Sequence, residues 1–249
     1  MDTLREKIQK TYTQVLENDK DQGCECSPSC CSGTSGFSEK YDGVKGYYPE
    51  ADYGMGCGLP TENLPIKKGD TVLDLGSGAG NDAFVVRELV GEKGHVLGID
   101  FTEAMVSKAK QNAQKLKYEN VEFILGDIEH MPFYNDSIDC IISNCVLNLV
   151  SDKKKAYQEI FRVLRTGGHF NISDIVLNKI LPPEIQMNPE LYAGCVSGAI
   201  LKESYIGIIE ETGFKNVRIT SSKPSTIKVT EGEKHHEITV DRITIAGEK

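Results

Sequence analysis

Three features of the sequence predict an α/β fold with a doubly wound, mostly parallel sheet. From residue 70 onward, short apolar runs alternate with helix-length amphipathic segments, the pattern of parallel strands joined by crossover helices. A glycine-rich turn, Asp74-Leu-Gly76-Ser-Gly78-Ala-Gly80-Asn-Asp82, joins the first run to the first helix. Two late stretches, 215 to 221 and 236 to 246, alternate apolar and polar residues, which reads as an antiparallel hairpin closing the sheet.

Residues 3 to 17 form an amphipathic helix, with Leu4, Ile8, Tyr12, Val15 and Leu16 near one face. Residues 18 to 60 are rich in Gly, Ser and Cys, a long irregular segment of the kind that is usually functional or disordered. Strands are expected at 71–75, 95–99, 121–125 and 137–143. Helices are expected at 80–90, 102–116 and 152–164. Thr166-Gly-Gly168 turns the chain into a fifth strand at 169–176. Pro182, Pro183 and Pro189 then interrupt the rhythm around a helix carrying Tyr192 and Cys195, read as an inserted lid. A helix at 202–212 ends at Gly213. The expected organisation is 1–60, an N-terminal helix and Cys-rich segment; 61–177, a cofactor-binding core; 178–201, the lid; and 202–249, a helix and strands completing the sheet.

The 249 residues suffice for one substantial core. A formal net charge of −9 repels phosphate backbones and anionic lipid headgroups, so neither nucleic acid nor a membrane surface is expected as partner. No apolar run approaches the roughly 20 residues that span a bilayer. Met1 to Lys10 lack the apolar core of a secretion signal, which points to the cytoplasm.

In an open parallel sheet, ligands sit beyond the carboxyl ends of the strands. The turn has the form Gly-x-Gly-x-Gly, with Asp74 two residues before the first glycine. An acid there is awkward for a pyrophosphate but suits an ammonium group. Asp100, ending the second strand about twenty residues later, is placed for ribose hydroxyls. Asp127 ends the third strand, and Met105 is an apolar candidate for a ring contact. The turn resembles the first motif of class I S-adenosylmethionine methyltransferases, with their Rossmann-like sheet. The resemblance implies that Asp127 and the Ile128 backbone face the adenine edge. It places Gly76, Gly78, Gly80, Asp82 and Asn144 with Asp74, Asp100 and Met105 around the cofactor. A nicotinamide dehydrogenase is the alternative for such a loop.

Eight cysteines are unevenly spread. In a reducing compartment they are more often catalytic, metal-binding or buried than bridged. Cys24, Cys26, Cys30 and Cys31 are tightly spaced, though Cys-x-Cys and Cys-Cys are not the usual zinc-finger spacings. Cys140 lies mid-strand and reads as a small buried hydrophobe. Cys57, Cys145 and Cys195 come from distant parts of the chain and can converge over one pocket. Thiolates favour soft, thiophilic centres. His95, His130 and His169 read as structural or solvated, and His235 and His236 flank the hairpin turn without an assigned role.

Gly56-Cys-Gly58 before the first strand, Ser143-Asn-Cys-Val146 after the fourth, Ser173-Asp-Ile-Val176 in the fifth and Tyr192-Ala-Gly-Cys-Val196 in the lid resemble the arsenite S-adenosylmethionine methyltransferases. The resemblance covers roughly residues 25 to 220. It implies that Cys145 and Cys195 hold trivalent arsenic, and that Cys57 works with an N-terminal cysteine, Cys31 or its competitor Cys30, as ligand or disulfide partner. All four, Cys31, Cys57, Cys145 and Cys195, then take part in catalysis, with Cys57, Cys145 and Cys195 as the metalloid ligands. Arsenite and methylated arsenic(III) thiolates are the implied substrates. An external thiol reductant, thioredoxin or glutathione, is the implied partner for detoxification chemistry. A methyltransferase for a small organic acceptor, or a non-catalytic thiol-rich metalloid-binding protein, are the alternatives.

Overall fold

The computed structural model describes residues 4–18, 39–186, 188–231 and 234–249. The strands are β1 (Thr71–Leu75), β2 (His95–Asp100), β3 (Val121–Leu125), β4 (Ile138–Asn144), β5 (Leu164–Leu177), β6 (Lys215–Glu231) and β7 (Lys234–Glu248). The helices are α1 (Leu4–Asn18), α2 (Asn81–Val90), α3 (Glu103–Leu116), α4 (Lys153–Val163), α5 (Pro183–Gln186), α6 (Pro189–Ala193) and α7 (Lys202–Thr212). The strands form one sheet in the order β3-β2-β1-β4-β5-β7-β6. The first five are parallel, and β7 runs antiparallel between β5 and β6.

Side chains alternate across a strand, and this divides the core. On one face Val72, Val96, Val121, Cys140 and Ile142 pack with Phe84 and Val86 of α2 and Val106 and Ala109 of α3. On the other, Leu73, Ile141, Ile172 and Ile245 pack with Tyr157 and Ile160 of α4 and Tyr205 and Ile209 of α7. Burial on both faces explains why these strands read as nearly continuous apolar runs. Among the described residues, no helix is long and apolar enough to cross a membrane.

Three elements differ from expectation. β5 begins at Leu164, because Leu164 pairs with Ile138 and His169 with Cys140, so that Thr166-Gly-Gly168 bulges within the strand instead of preceding it. The hairpin is longer than its alternating stretches, with pairing that continues to Glu231 and Lys234. On its outer arms Ile227, Ile238 and Val240 pack with Leu181, Ile185, Leu191 and Val196 of the segment 178–201. Cys195 is not on a helix. α6 ends at Ala193, and Cys195 follows in a turn with φ +63°.

Candidate active site

The carboxyl ends of β1, β2 and β4 open onto a cavity lined by Asp74, Gly76, Ser77, Gly78, Asp82, Asp100, Asn144 and Cys145 together with Tyr12 and Tyr41. A second cavity carries Asp127, Ile128, Arg5 and Ile8. The two share Gly76, Asp100, Phe101, Val146 and Leu149, so they form one cleft that runs across the sheet edge.

Three carboxylates are buried in the first half: Asp74, Asp82 and Asp100. Burial pushes each pKa up, Asp74 furthest; for Asp74 the nearby charges of Asp82 and Asp100 add to the push. Asp82 is lifted to about 6 by burial, although Tyr41 and Asn144 donate to it and pull the other way. Asp100 ties two loops, since Oδ2 accepts the Gly78 N–H at 3.0 Å and Oδ1 accepts the Thr102 N–H at 2.8 Å. Asp74 Oδ2, Ser77 Oγ and Asn81 Oδ1 are buried beside the cavity without a hydrogen-bond partner. A cleft with three buried acids and orphaned acceptors demands a cationic, donor-rich ligand.

Two residues of the expected cofactor set lie off the cleft. Met105 is 1% exposed on the first turn of α3 and lines neither cavity; Phe101, just before the helix, takes the wall position instead. Gly80 is absent from the lining too. A Cβ there would meet the rings of Phe84 and Phe123 at 2.7 and 2.8 Å, so this glycine serves the packing of α2 on the sheet. Asp127 does line the cleft, but its Oδ2 is held by Arg5 at 2.8 Å. Arg5, Tyr12 and Tyr41 are cleft residues that the sequence reading did not single out. Only the amphipathic pattern of residues 3 to 17 hinted at a docked helix.

Past Asn144 the chain enters the thiol cluster. Cys57, Cys145 and Cys195 are all free and buried, and all belong to one apolar cluster. The ligand atoms of Cys57, Cys145 and Asp174 lie within 4.8 Å of one another, and Cys195 Sγ donates to the Cys145 carbonyl at 2.7 Å. Cys145 and Cys195 both adopt the left-handed region, φ +61° and +63°, a costly conformation for a side chain other than Gly and a mark of functional sites. Cys145 also lines the first cavity, so the cluster and the cleft meet at this residue.

The Gly-Cys-Gly spacing has a steric reason. A Cβ at Gly56 would stand 2.7 Å from Asn144 Nδ2, and one at Gly58 would stand 2.5 Å from Ser173 Oγ. Cys57 therefore rides on a loop pressed against β4 and β5. Asn144 Oδ1 accepts the N–H of Cys57 at 2.9 Å, while its Nδ2 donates to Asp82 Oδ2 and the Gly58 carbonyl, each at 3.0 Å.

All three thiols are raised above the ordinary cysteine range. For Cys57 the cause is burial. For Cys195 it is the hydrogen bond with Cys145, then burial. In Cys145 the bond from Cys195 pulls down, but the bond with Cys57, burial and the charges of Cys57 and Asp174 push it above. Raised in this way, the thiols favour their protonated form, and a thiophilic ligand that binds them as thiolates displaces their protons. Asp174, which the sequence reading quoted only inside a motif, is lifted to about 7 by burial, against Lys153, the Ile175 N–H and Tyr205. Its carboxylate accepts from Asn148, Ile175 and Tyr205. Cys140 lies fully buried in the sheet core, away from this cluster. Cys24, Cys26, Cys30 and Cys31 lie outside the described residues.

Residues 66–213 match the family model described as a methyltransferase domain. The chain belongs to this methyltransferase domain family. Among its relatives, the arsenite methyltransferase of Halobacterium salinarum is 41% identical over 211 residues, covering 85% of this chain and 54% of that protein. The arsenite methyltransferase of Mus musculus is 34% identical over 244 residues, covering 93% and 63%. The chain thus spans a little over half to under two thirds of these relatives' lengths. Its fold is similar to the crystal structure of an arsenic(III) S-adenosylmethionine methyltransferase from Chlamydomonas reinhardtii, with a TM-score of 0.66 and 34% identity over 78% of this chain and 67% of that one.

Proposed function

We propose that this protein transfers a methyl group from S-adenosylmethionine to trivalent arsenic held by Cys57, Cys145 and Cys195. The observation that carries the reading is the meeting of cleft and cluster at Cys145, which lines the cleft, has its sulfur within 4.8 Å of the Cys57 sulfur and accepts the Cys195 thiol's hydrogen bond at its carbonyl. The named relatives support the same substrate.

The residues suit the methyl donor. Asp74, with its orphaned Oδ2, and Asp82 would hold its ammonium group, Asp100 its ribose, and the Ile128–Asp127 end of the cleft its adenine. When bound, S-adenosylmethionine supplies a methyl group already activated by the sulfonium, so the protein's work is alignment. The Cys57, Cys145 and Cys195 sulfurs hold the arsenic lone pair toward the cavity. Arsenic so held has no proton to lose, and no general base is needed. Methyl transfer raises arsenic to the pentavalent state. Two thiolates then join as a disulfide, and their two electrons return arsenic to the trivalent state. We assign that disulfide to Cys57 and Cys31, with thioredoxin or glutathione as the external reductant that resets it.

An arsenic speciation assay tests the reading, with the purified protein, S-adenosylmethionine, arsenite and a thiol reductant beside a Cys145→Ser control. Methylated arsenic from the parent protein and none from the control is the expected result. Methylated arsenic in equal yield from both would overturn the thiol site. No methylated product from either, with S-adenosylmethionine bound, would overturn the reaction.

A further inference from the structure

α1 lies along the whole cleft. Arg5, Ile8, Gln9 and Tyr12 share one helix face at i, i+3, i+4 and i+7. Arg5 pairs with Asp127 at the far end, and its guanidinium stands 5.5 Å from the Phe101 ring centroid. Gln9 Nε2 donates to the Phe101 carbonyl at 2.9 Å. Arg5 and Ile8 line the second cavity and Tyr12 the first. At that near end, the Tyr12 hydroxyl donates to the Ala193 carbonyl of α6 at 3.3 Å, two residues before Cys195. Tyr12 thus touches the cleft and α6 at once.

From this geometry we propose that Tyr12 is a positioning residue that couples occupancy of the cleft to the placement of Cys195. A ligand in the cleft gains the contacts of Arg5, Ile8 and Tyr12 only while α1 is docked, so it shifts the helix toward the docked state. Docking brings the Tyr12 hydroxyl onto Ala193 and fixes the turn that carries Cys195. The third sulfur is then held in place when the methyl donor is present. The inference rests on the reading of the cleft as the S-adenosylmethionine site, but not on arsenic.

Alkylation by iodoacetamide, followed residue by residue by peptide mass spectrometry with and without saturating S-adenosylhomocysteine, tests it. Cys145 lines the cavity, so its protection reports ligand binding directly. Cys195 does not line the cavity, so its protection reports the coupling. In the parent protein, S-adenosylhomocysteine is expected to slow alkylation of Cys195 by about fivefold or more, the lower end of ordinary site-to-site coupling. In Tyr12→Phe, which keeps the ring and removes the hydroxyl, the slowing at Cys195 falls below about twofold while Cys145 stays protected. Equal protection of Cys195 in Tyr12→Phe and in the parent overturns the proposal, as does an unprotected Cys195 beside a protected Cys145. Protection of neither thiol in the parent overturns the cofactor reading, and the coupling with it. A thermal melt of Tyr12→Phe matching the parent's separates loss of the hydroxyl from loss of the fold.

Discussion

Asn144 holds Cys57 by its backbone, with Oδ1 accepting the Cys57 N–H at 2.9 Å, and the same amide donates to Asp82 in the glycine-rich loop. One side chain at the end of β4 thereby ties Asp82 of the cleft to Cys57 of the thiol cluster, next door to Cys145. Asn144→Ala removes both bonds and leaves the Cys57 N–H and the Gly58 carbonyl without this partner. A buried group left unpaired costs about 1–3 kcal/mol. The midpoint of urea unfolding is expected to fall accordingly, and the methylation rate to drop by more than about tenfold, the equivalent of 1.4 kcal/mol in the barrier. Activity within twofold of the parent would remove Asn144 from the positioning of Cys57.

The loop it clamps tolerates no side chain beside the thiol. Gly58→Ala puts a methyl 2.5 Å from Ser173 Oγ, and Gly56→Ala puts one 2.7 Å from Asn144. Each loop must then lift off the sheet, carrying Cys57 with it. A displacement near 1 Å at a reacting group costs on the order of a hundredfold. Both variants are expected to keep cooperative unfolding and lose methylation to about that extent. Parent-like turnover numbers would show that Cys57 does not need its present position.

Protonation of Asp82 sets a pH dependence. Its pKa is raised to about 6 by burial, against donation from Tyr41 and Asn144, while in the unfolded chain an aspartate titrates near 3.9. Between those values the folded state binds the extra proton. The empty protein therefore loses stability from this group as pH rises toward about 6, and loses no more above it. A ligand ammonium needs the ionised form, so affinity runs the other way. S-adenosylhomocysteine binding, measured by calorimetry, is expected to strengthen as pH rises through about 6. On the acid side the slope approaches about tenfold per pH unit, as for one linked proton. Asp82→Asn should flatten that slope, and a flat profile in the parent would contradict the role.

Two buried cysteines, Cys140 and Cys195, are expected to behave in opposite ways. Cys140 is packed among Val72, Phe84 and Ile142, and its deletion to Ala should cost about 1 kcal/mol, the ordinary size of a core truncation that removes a single heavy atom. Arsenite binding should be unchanged. Cys195→Ser should leave stability nearly intact and weaken arsenite binding by more than about tenfold, since a hydroxyl is a poor donor to a soft centre. Calorimetric titration with arsenite, beside thermal melts, separates the two.

The strand and helix order was legible because buried strands and one-sided helices carry their periods in the sequence, as in Val72 and Leu73, which pack on opposite faces of β1. The thiol trio was legible from motifs, since Cys57, Cys145 and Cys195 do converge. What escaped notice depended on direction in space. Met105 sits within a turn of the cleft along the chain, but its side chain is buried off the cleft while Phe101 takes the wall. The outer arm of β6 was hidden because the run Ser222-Lys-Pro-Ser-Thr226 is polar and breaks the apolar period before Ile227. Cys195 leaves the helix because its turn is left-handed, which no residue type there announces. An amphipathic pattern in α1 told which face is buried but not that Tyr12 would meet both the cleft and α6.

The proposed function requires three buried thiols, Cys57, Cys145 and Cys195, to hold arsenic beside the cleft. X-ray absorption at the arsenic edge, on the protein loaded with one equivalent of arsenite, reads the ligand count directly. Three sulfur neighbours in the parent and two in Cys195→Ser are the expected result. Oxygen neighbours alone, or a sulfur count untouched by replacing Cys57, Cys145 and Cys195 in turn, would contradict the claim and place arsenic elsewhere.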